Sequence, residues 1–284
     1  MMWKMLRHIG KTHRRKLAAT FGLVGLENLL LLVYPTFGGL AINAVIEGNT
    51  WLALLYALVV LMMWLVGALR RSMDTRTFTR IYTEIAVPVV LDQRHRQTPH
   101  SAITARVALS REFVSFFEEH LPMAATSLVS VFGACVMLLL LEFWVGVAAV
   151  AVLLVCLWLL PHFASISDSL YYRLNNRLEK DNHFIRHGSE TQLWKHYHLV
   201  GRLRVLISNR EALGYLAVGI AMSLLFGLAF TWMTVRGHGS AGHVYSITTY
   251  LWMFAMSLDD VPRLVEQYSN LKDIGRRVDL TQPA

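Results

Sequence analysis

Residues 113–166 read FVSFFEEHLPMAATSLVSVFGACVMLLLLEFWVGVAAVAVLLVCLWLLPHFASI. Two apolar runs, Phe113–Leu141 and Phe143–Ile166, meet at Glu142-Phe143-Trp144. A helix needs about 20 residues to cross the hydrocarbon core of a bilayer. Each run is long enough, and the junction leaves room only for a tight turn, so the chain crosses a membrane there and comes straight back. Four further stretches of the same kind lie outward from this pair: Leu17–Ile46, Trp51–Leu69, Glu211–Val235 and His243–Val261. The expected fold class is therefore an all-α integral membrane protein with six transmembrane helices.

The connections alternate in length. Glu47-Gly48-Asn49-Thr50 joins the first two spans, and Arg236–Gly242, punctuated by glycines, joins the last two. On the other side the chain runs through residues 70–112 and 167–210 before it re-enters the membrane. With the N-terminus cytoplasmic, every one of the 27 Lys and Arg residues except Arg236 faces the cytoplasm. This is the positive-inside asymmetry in strong form, and it places both termini and both long loops in the cytoplasm. Trp51, Trp144 and Trp232 fall near the opposite ends of their spans, as interfacial anchors do.

Of the 284 residues 55% are hydrophobic and 16% charged, with a mean hydropathy of +0.42. Soluble domains carry nearer a quarter charged residues. The chain divides into a basic cytoplasmic flank (1–16), one membrane domain (17–277) and a short tail (278–284). The net charge of +8 belongs to the flanks of membrane segments, where it sets orientation and meets anionic head groups. No basic stripe interleaved with stacking aromatics is present, so nucleic acid is not an expected partner; the bilayer is. Cys135 and Cys156 both lie in apolar spans and read as packing residues rather than a disulfide. The basic start resembles a secretory leader, but Leu17–Ile46 is too long for a leader's apolar region and lacks a clear cleavage site.

The long loops are themselves helical in pattern. Phe78, Ile81, Ile85 and Val89, and then Leu199, Leu203, Leu206 and Ile207, recur at helical spacing among basic residues. The second and fifth spans are expected to be joined by helices that run on into the cytoplasm.

Six helices, tight outer turns and two long helical inner loops resemble the transmembrane region of an ABC exporter half-transporter. Tyr34-Pro35-Thr36-Phe37-Gly38-Gly39-Leu40-Ala41-Ile42-Asn43-Ala44-Val45-Ile46-Glu47-Gly48 resembles that family's first helix: a proline, a small residue, then Leu-Ile-Asp and a Gly-bearing turn, with Asn43 standing where Asp is usual. Thr98–Arg106 resembles its T-P-x-G-E-L-x-S-R segment, Phe117–Pro122 its approach to helix three, and Ile274–Val278 its basic exit from helix six. The resemblance implies the ABC exporter type of transmembrane fold and a homodimer with helices exchanged between halves. It places the chain in the bacterial inner (plasma) membrane, multi-pass, with both termini cytoplasmic.

Departures from the family pattern shape the functional expectation. The chain ends seven residues past Arg277, where an ATPase domain would follow, and Gly10-Lys11-Thr12 lacks the earlier glycine of a phosphate-binding loop. The aromatic pair by which the first coupling helix enters its ATPase falls here on Arg94-His95, and the glycine of the same segment is Ser101. The leading expectation is a transporter of a peptide or hydrophobic small molecule, working by alternating access without its own ATPase domain. Peptide-uptake proteins that resemble ABC exporter membrane regions and draw on the proton gradient are a precedent. The alternatives are the membrane subunit of a split ABC transporter with a separate ATP-binding chain, and a non-transporting membrane protein that regulates or binds another complex.

Charges deep in a bilayer cost about 2.5 kcal/mol or more each, so they face a cavity or a partner. Glu27 and Asn28 lie a third of the way along the first span, and the leucines around them offer Glu27 no counter-charge. Asp259 and Asp260 interrupt the sixth span before Pro262, and Arg263 is one turn on. Adjacent carboxylates point about 100° apart on a helix, so at most one faces a cavity. A carboxylate in low dielectric can exchange a proton near neutrality. Glu27, Asn28, Asp259, Asp260 and Tyr250 are therefore candidates for a proton or substrate path, and Glu27→Gln is expected to abolish any pH-dependent transport. Glu118-Glu119-His120 reads better as an interfacial cluster paired with Arg106 or Arg111. His162 is near the inner end of the fourth span. Tyr245, Tyr250, Trp252 and Phe254 suit either a cavity lining or packing. His183 and His187, with His196 and His198 nearby, have one-face spacing, but without cysteine they do not make a zinc pattern. No metal or cofactor is implied. No hydrolase or metalloprotease pattern stands out either, so no enzymatic chemistry is expected.

Overall fold

The protein is described from a computed structural model covering residues 14–95, 107, 111, 114–178, 180–237 and 239–260. Helix α1 (Arg14–Ile46) leads through a tight turn into α2 (Thr50–His95). A π-helical turn (Phe116–His120) precedes α3 (Leu121–Leu141), followed by α4 (Phe143–Leu178), the short α5 (Asp181–His187), α6 (Glu190–Arg236) and α7 (Ala241–Asp259). Each boundary has a local cause. Pro122 sits at the start of α3, where a missing N–H costs nothing. Ser189 and Gln192 form a capping box on α6, and Gly237 closes that helix at φ 64°.

At 1.5 Å per residue, the 46 residues of α2 and the 47 of α6 each span about 70 Å, against about 30 Å of hydrocarbon. More than half of each helix therefore lies beyond a bilayer, as the apolar spacing of the loops anticipates.

Among the described residues five helices are long and apolar enough to cross a membrane: α1, α2, α3 with its π turn, α4 and α6. The expected sixth span, α7, is not one of them. Its 19 residues include His243, Ser246, Thr248, Thr249 and Ser257, yet it lies inside the bundle, packed on α1, α3 and α6. Ile247, Tyr250, Leu251 and Phe254 are fully buried. Its hydroxyls turn back on their own helix, Thr248 to the Val244 carbonyl at 2.7 Å and Ser257 to that of Met253 at 2.8 Å. The face of α7 packed among the other helices tolerates this polarity, while Trp252 and Met256 stand on its exposed face.

The packing divides the molecule. At the end carrying the short turns, α3, α4, α6 and α7 share one core that includes Ala134, Leu138, Val145, Ala149, Leu225, Ala229 and Tyr250. At the basic end there are two separate cores. Phe78, Ile81 and Ile85 of α2 close with Val114 and Leu17. Leu174 of α4 closes with Val200 and Ile207 of α6. Among the described residues α2 packs chiefly on α1 and the π turn, with Tyr56 meeting Tyr245 of α7, and neither α1 nor α2 packs on α4 or α6 beyond passing contacts. Among the described residues the packing forms one core at the turn end and two separate cores at the basic end, the α1/α2 leg and the α4/α6 leg.

Candidate functional site

The α1/α2 leg carries a charged cluster. Glu27 of α1 forms an ion pair with Arg70 of α2, and Arg70 Nη1 also donates to Asp74 Oδ2 at 3.0 Å. Gly67, one turn before Arg70, makes the approach possible: a Cβ there would stand 3.2 Å from Glu27 Oε1. Asp74 is 4% exposed, and Thr20 of α1, fully buried, interacts with it through its hydroxyl. Glu118, on the π turn, lies within electrostatic reach of Asp74 and of Arg111. Single π turns inside α-helices recur at functional sites because they re-aim side chains.

This arrangement corrects the reading of Glu27 as a carboxylate without a counter-charge. Its partner comes from the neighbouring helix, at a position read as part of the basic flank. Asn28, adjacent in sequence, is buried on another face and donates to the Val24 carbonyl at 2.8 Å. It does not join Glu27. Asp74 was not among the candidates; its i,i+4 spacing from Arg70 was the available signal.

At the end of α7, Asp260 accepts from Ser127 of α3 at 3.2 Å while Asp259 is exposed, so the two carboxylates diverge as helical geometry requires. Arg263 lies outside the described residues. Glu119 and His162 are exposed. His196, buried, contacts Asp181 Oδ1 at 2.6 Å, while His187 and His198 are exposed; the side chain of His183 lies outside the described residues. Among the described residues no group of three or more His, Cys, Asp or Glu is placed to hold a metal ion.

Tyr250 is fully buried between α7 and α1. Its hydroxyl donates to the Leu32 carbonyl at 2.7 Å and lies 2.7 Å from Thr36 Oγ1. Leu32 and Thr36 flank Pro35, whose missing N–H loosens the α1 ladder at that turn. Ser246 bonds the Pro35 carbonyl at 2.9 Å. Asn43 accepts from Gly242 N at 2.9 Å and donates to Ser240 Oγ at 2.9 Å, tying α1 to the start of α7. Its amide uses both of its ends, where an aspartate would have only acceptors. The proline-to-Gly48 motif is thus the α1 side of the α1–α7 seam. Beside the seam, Gly38, Ala41, Ile42, Val45, Ala53, Tyr56 and Tyr245 border an open apolar cavity of about 380 Å³.

The family model for the ABC transporter transmembrane region matches residues 6–242. The match takes in α1 through α6 and the start of α7. The chain belongs to the ABC transporter transmembrane region family. No curated protein matches it. In this ABC transmembrane region the family assignment carries membrane embedding and a transport-type role. The charged cluster, the α1–α7 seam and the divided legs all fall on matched residues or next to them.

Proposed function

We propose that this ABC transmembrane region moves a peptide or hydrophobic small molecule across the bacterial inner membrane by alternating access, as a homodimer. The observation that carries the reading is the division of the packing among the described residues: one core at the turn end, two separate cores at the basic end. Rigid bodies joined at one end and parted at the other are what alternating access needs. The parted end is the basic one, which the charge asymmetry assigns to the cytoplasm, so this is an inward-facing arrangement.

The homodimer rests on uncovered apolar surface. Only 6% of the apolar window of α2 is buried within the chain. Trp194 is 73% exposed about 60 Å along α6 from Arg236, beyond any bilayer, with Tyr197 and Val205 exposed nearby. Apolar surface of that kind outside lipid marks an interface.

One observation favours the split-transporter reading. Helix α5 closes the tip of the α4/α6 leg, held down by the Asp181–His196 contact and by Phe184 against His196 at 4.5 Å between ring centroids. It presents Ile185, 63% exposed, on a fixed platform that an ATP-binding chain could engage. The deciding experiment reconstitutes the purified protein alone in liposomes with an imposed proton gradient and follows uptake of labelled peptides and of a hydrophobic dye. Gradient-dependent flux supports autonomous transport. Absence of flux, together with co-purification of an ATP-binding chain that restores it, supports the split transporter. Absence of flux under both conditions overturns both readings.

A further inference from the structure

We propose that the open cavity between α1, α2 and α7 binds one acyl chain of a membrane phospholipid. On α1 it is bordered by a single helical face, Gly38, Ala41, Ile42 and Val45, spaced i, i+3, i+4, i+7. On α2 it is bordered by Ala53. Glycine and alanine are too short to fill the space between helices, and the result is about 380 Å³, inside the range of about 300–1,000 Å³ usual for ligand sites. Tyr56 of α2 and Tyr245 of α7 supply an aromatic wall. A Cβ on Gly38 would stand 2.5 Å from Tyr245 Cε1, so the bare backbone there is what lets the ring lie against α1. Tyr56 packs on Tyr34 with ring centroids 5.3 Å apart. Both rings are held by neighbours, so the cavity is formed by packing and not by one loose side chain.

Chemistry, length and position choose the occupant. Among the described residues no charged group borders the cavity. The charged end of a peptide or a phosphate would lose its water there and gain no counter-charge, whereas an apolar chain gives up nothing. Apolar cavities stay dry and accept apolar guests. The α1 face from Gly38 to Ile46 runs about 12 Å along the helix. One leaflet of hydrocarbon is about 15 Å deep, half of the whole core. The cavity is therefore nearly as long as a leaflet is thick. It lies at the turn end of two membrane spans, and Val45 and Ile46 on its border are 68% and 67% exposed. Phospholipid chains are the medium at that border, and by mass action any other guest must displace them.

A chain seated there bears on the α1–α7 seam. Tyr245 precedes Ser246, whose hydroxyl bonds the Pro35 carbonyl, and Ile42 precedes Asn43, which accepts from Gly242 N. The chain supplies the dispersion contacts that the walls of a void would forfeit, and it fills the space between α2 and the seam. The site rests on membrane embedding alone and not on the transport reading. A cargo that entered by this route would have to expel the chain first.

The test is photolabelling of the full-length protein in nanodiscs that contain a trace of phosphatidylcholine with a diazirine in its acyl chain, the labelled residues being mapped by mass spectrometry. The expected result is several-fold more label on Ile42 and Ala53 than on Leu54 and Leu55, which lie at the same depth on α2 and are exposed. Ala53→Phe should fill the cavity and remove the excess, and Leu54→Phe should keep it. Should Ala53→Phe fail to fold, Val45→Trp at the exposed border takes its place. Equal labelling of the two pairs overturns the proposal, as does an excess that survives the filling variant. Competition by free palmitate but not by unlabelled phospholipid overturns it and makes a fatty acid the occupant. Labelling that appears only in nanodiscs holding a single copy also overturns it and gives the cavity to a second copy of the chain.

Discussion

Gly39 of α1 and Gly242 of α7 cross with backbone against backbone: a Cβ on Gly242 would fall inside van der Waals contact with the Gly39 carbonyl, and one on Gly39 would meet both the Gly242 carbonyl and the Ser246 hydroxyl. Between membrane helices, where lipid is as apolar as leucine, close approach of small residues is a principal source of association. Gly242→Ala must push α7 off α1, breaking the Asn43 and Ser246 bonds that depend on the spacing. We expect a loss of about 2 kcal/mol or more, read as a lowered melting temperature in nanodiscs. Gly219→Ala, where nothing lies within 4 Å of the added carbon, should cause no such loss.

Tyr250→Phe removes the donor to Leu32 and the group facing Thr36, with little change of shape. The cost expected is about 1–2 kcal/mol, again seen in the melting temperature. Any substrate binding should persist once the protein is folded. A variant of unchanged stability that no longer binds substrate would return Tyr250 to the transport path.

The Glu27–Arg70–Asp74 cluster makes an ordered prediction. Arg70→Gln leaves two carboxylates without their shared cation and should cost about 3 kcal/mol. Glu27→Gln leaves Arg70 paired with Asp74 and should cost less. Asp74→Asn added to Arg70→Gln should recover part of the loss, a non-additivity that a double-mutant cycle in chemical denaturation would expose. Additive effects would mean that the three groups do not act as a unit.

Asp181→Ala should free α5 from α6 by removing the contact with His196. The expected readout is faster proteolytic cleavage around residues 180–189 with the membrane helices intact. If an ATP-binding chain binds through α5, the same variant should weaken its capture.

Much of the architecture was legible because a bilayer demands long apolar runs: Leu17–Ile46 and Phe143–Ile166 lie within α1 and α4. The loop periodicity around Phe78 and Ile81 became the core of one leg. The site was less legible because its contacts join distant positions. The carbonyl that Tyr250 engages lies 218 residues away, so an aromatic on an apolar helix could be read as lining or as core. Arg70 and Asp74 sit just past the second apolar run, where charge is ordinarily a membrane flank, and only the packing of α1 on α2 brings Glu27 to them. Helix α7 was read from turn glycines and a mixed apolar run. Its shortfall in apolarity falls on a helix with one face, including Ser246 and Ser257, buried against α1, α3 and α6.

The most direct test of alternating access measures the distance between the two legs. Spin labels at Thr83→Cys on α2 and Arg204→Cys on α6, both exposed positions, would be read by pulsed electron resonance in nanodiscs with Cys135 and Cys156 replaced. If the legs belong to a transporter, the distance distribution shifts on acidification or on adding a transported peptide, while a pair at the turn end stays fixed. A single distribution, unchanged by proton or peptide, would contradict the account.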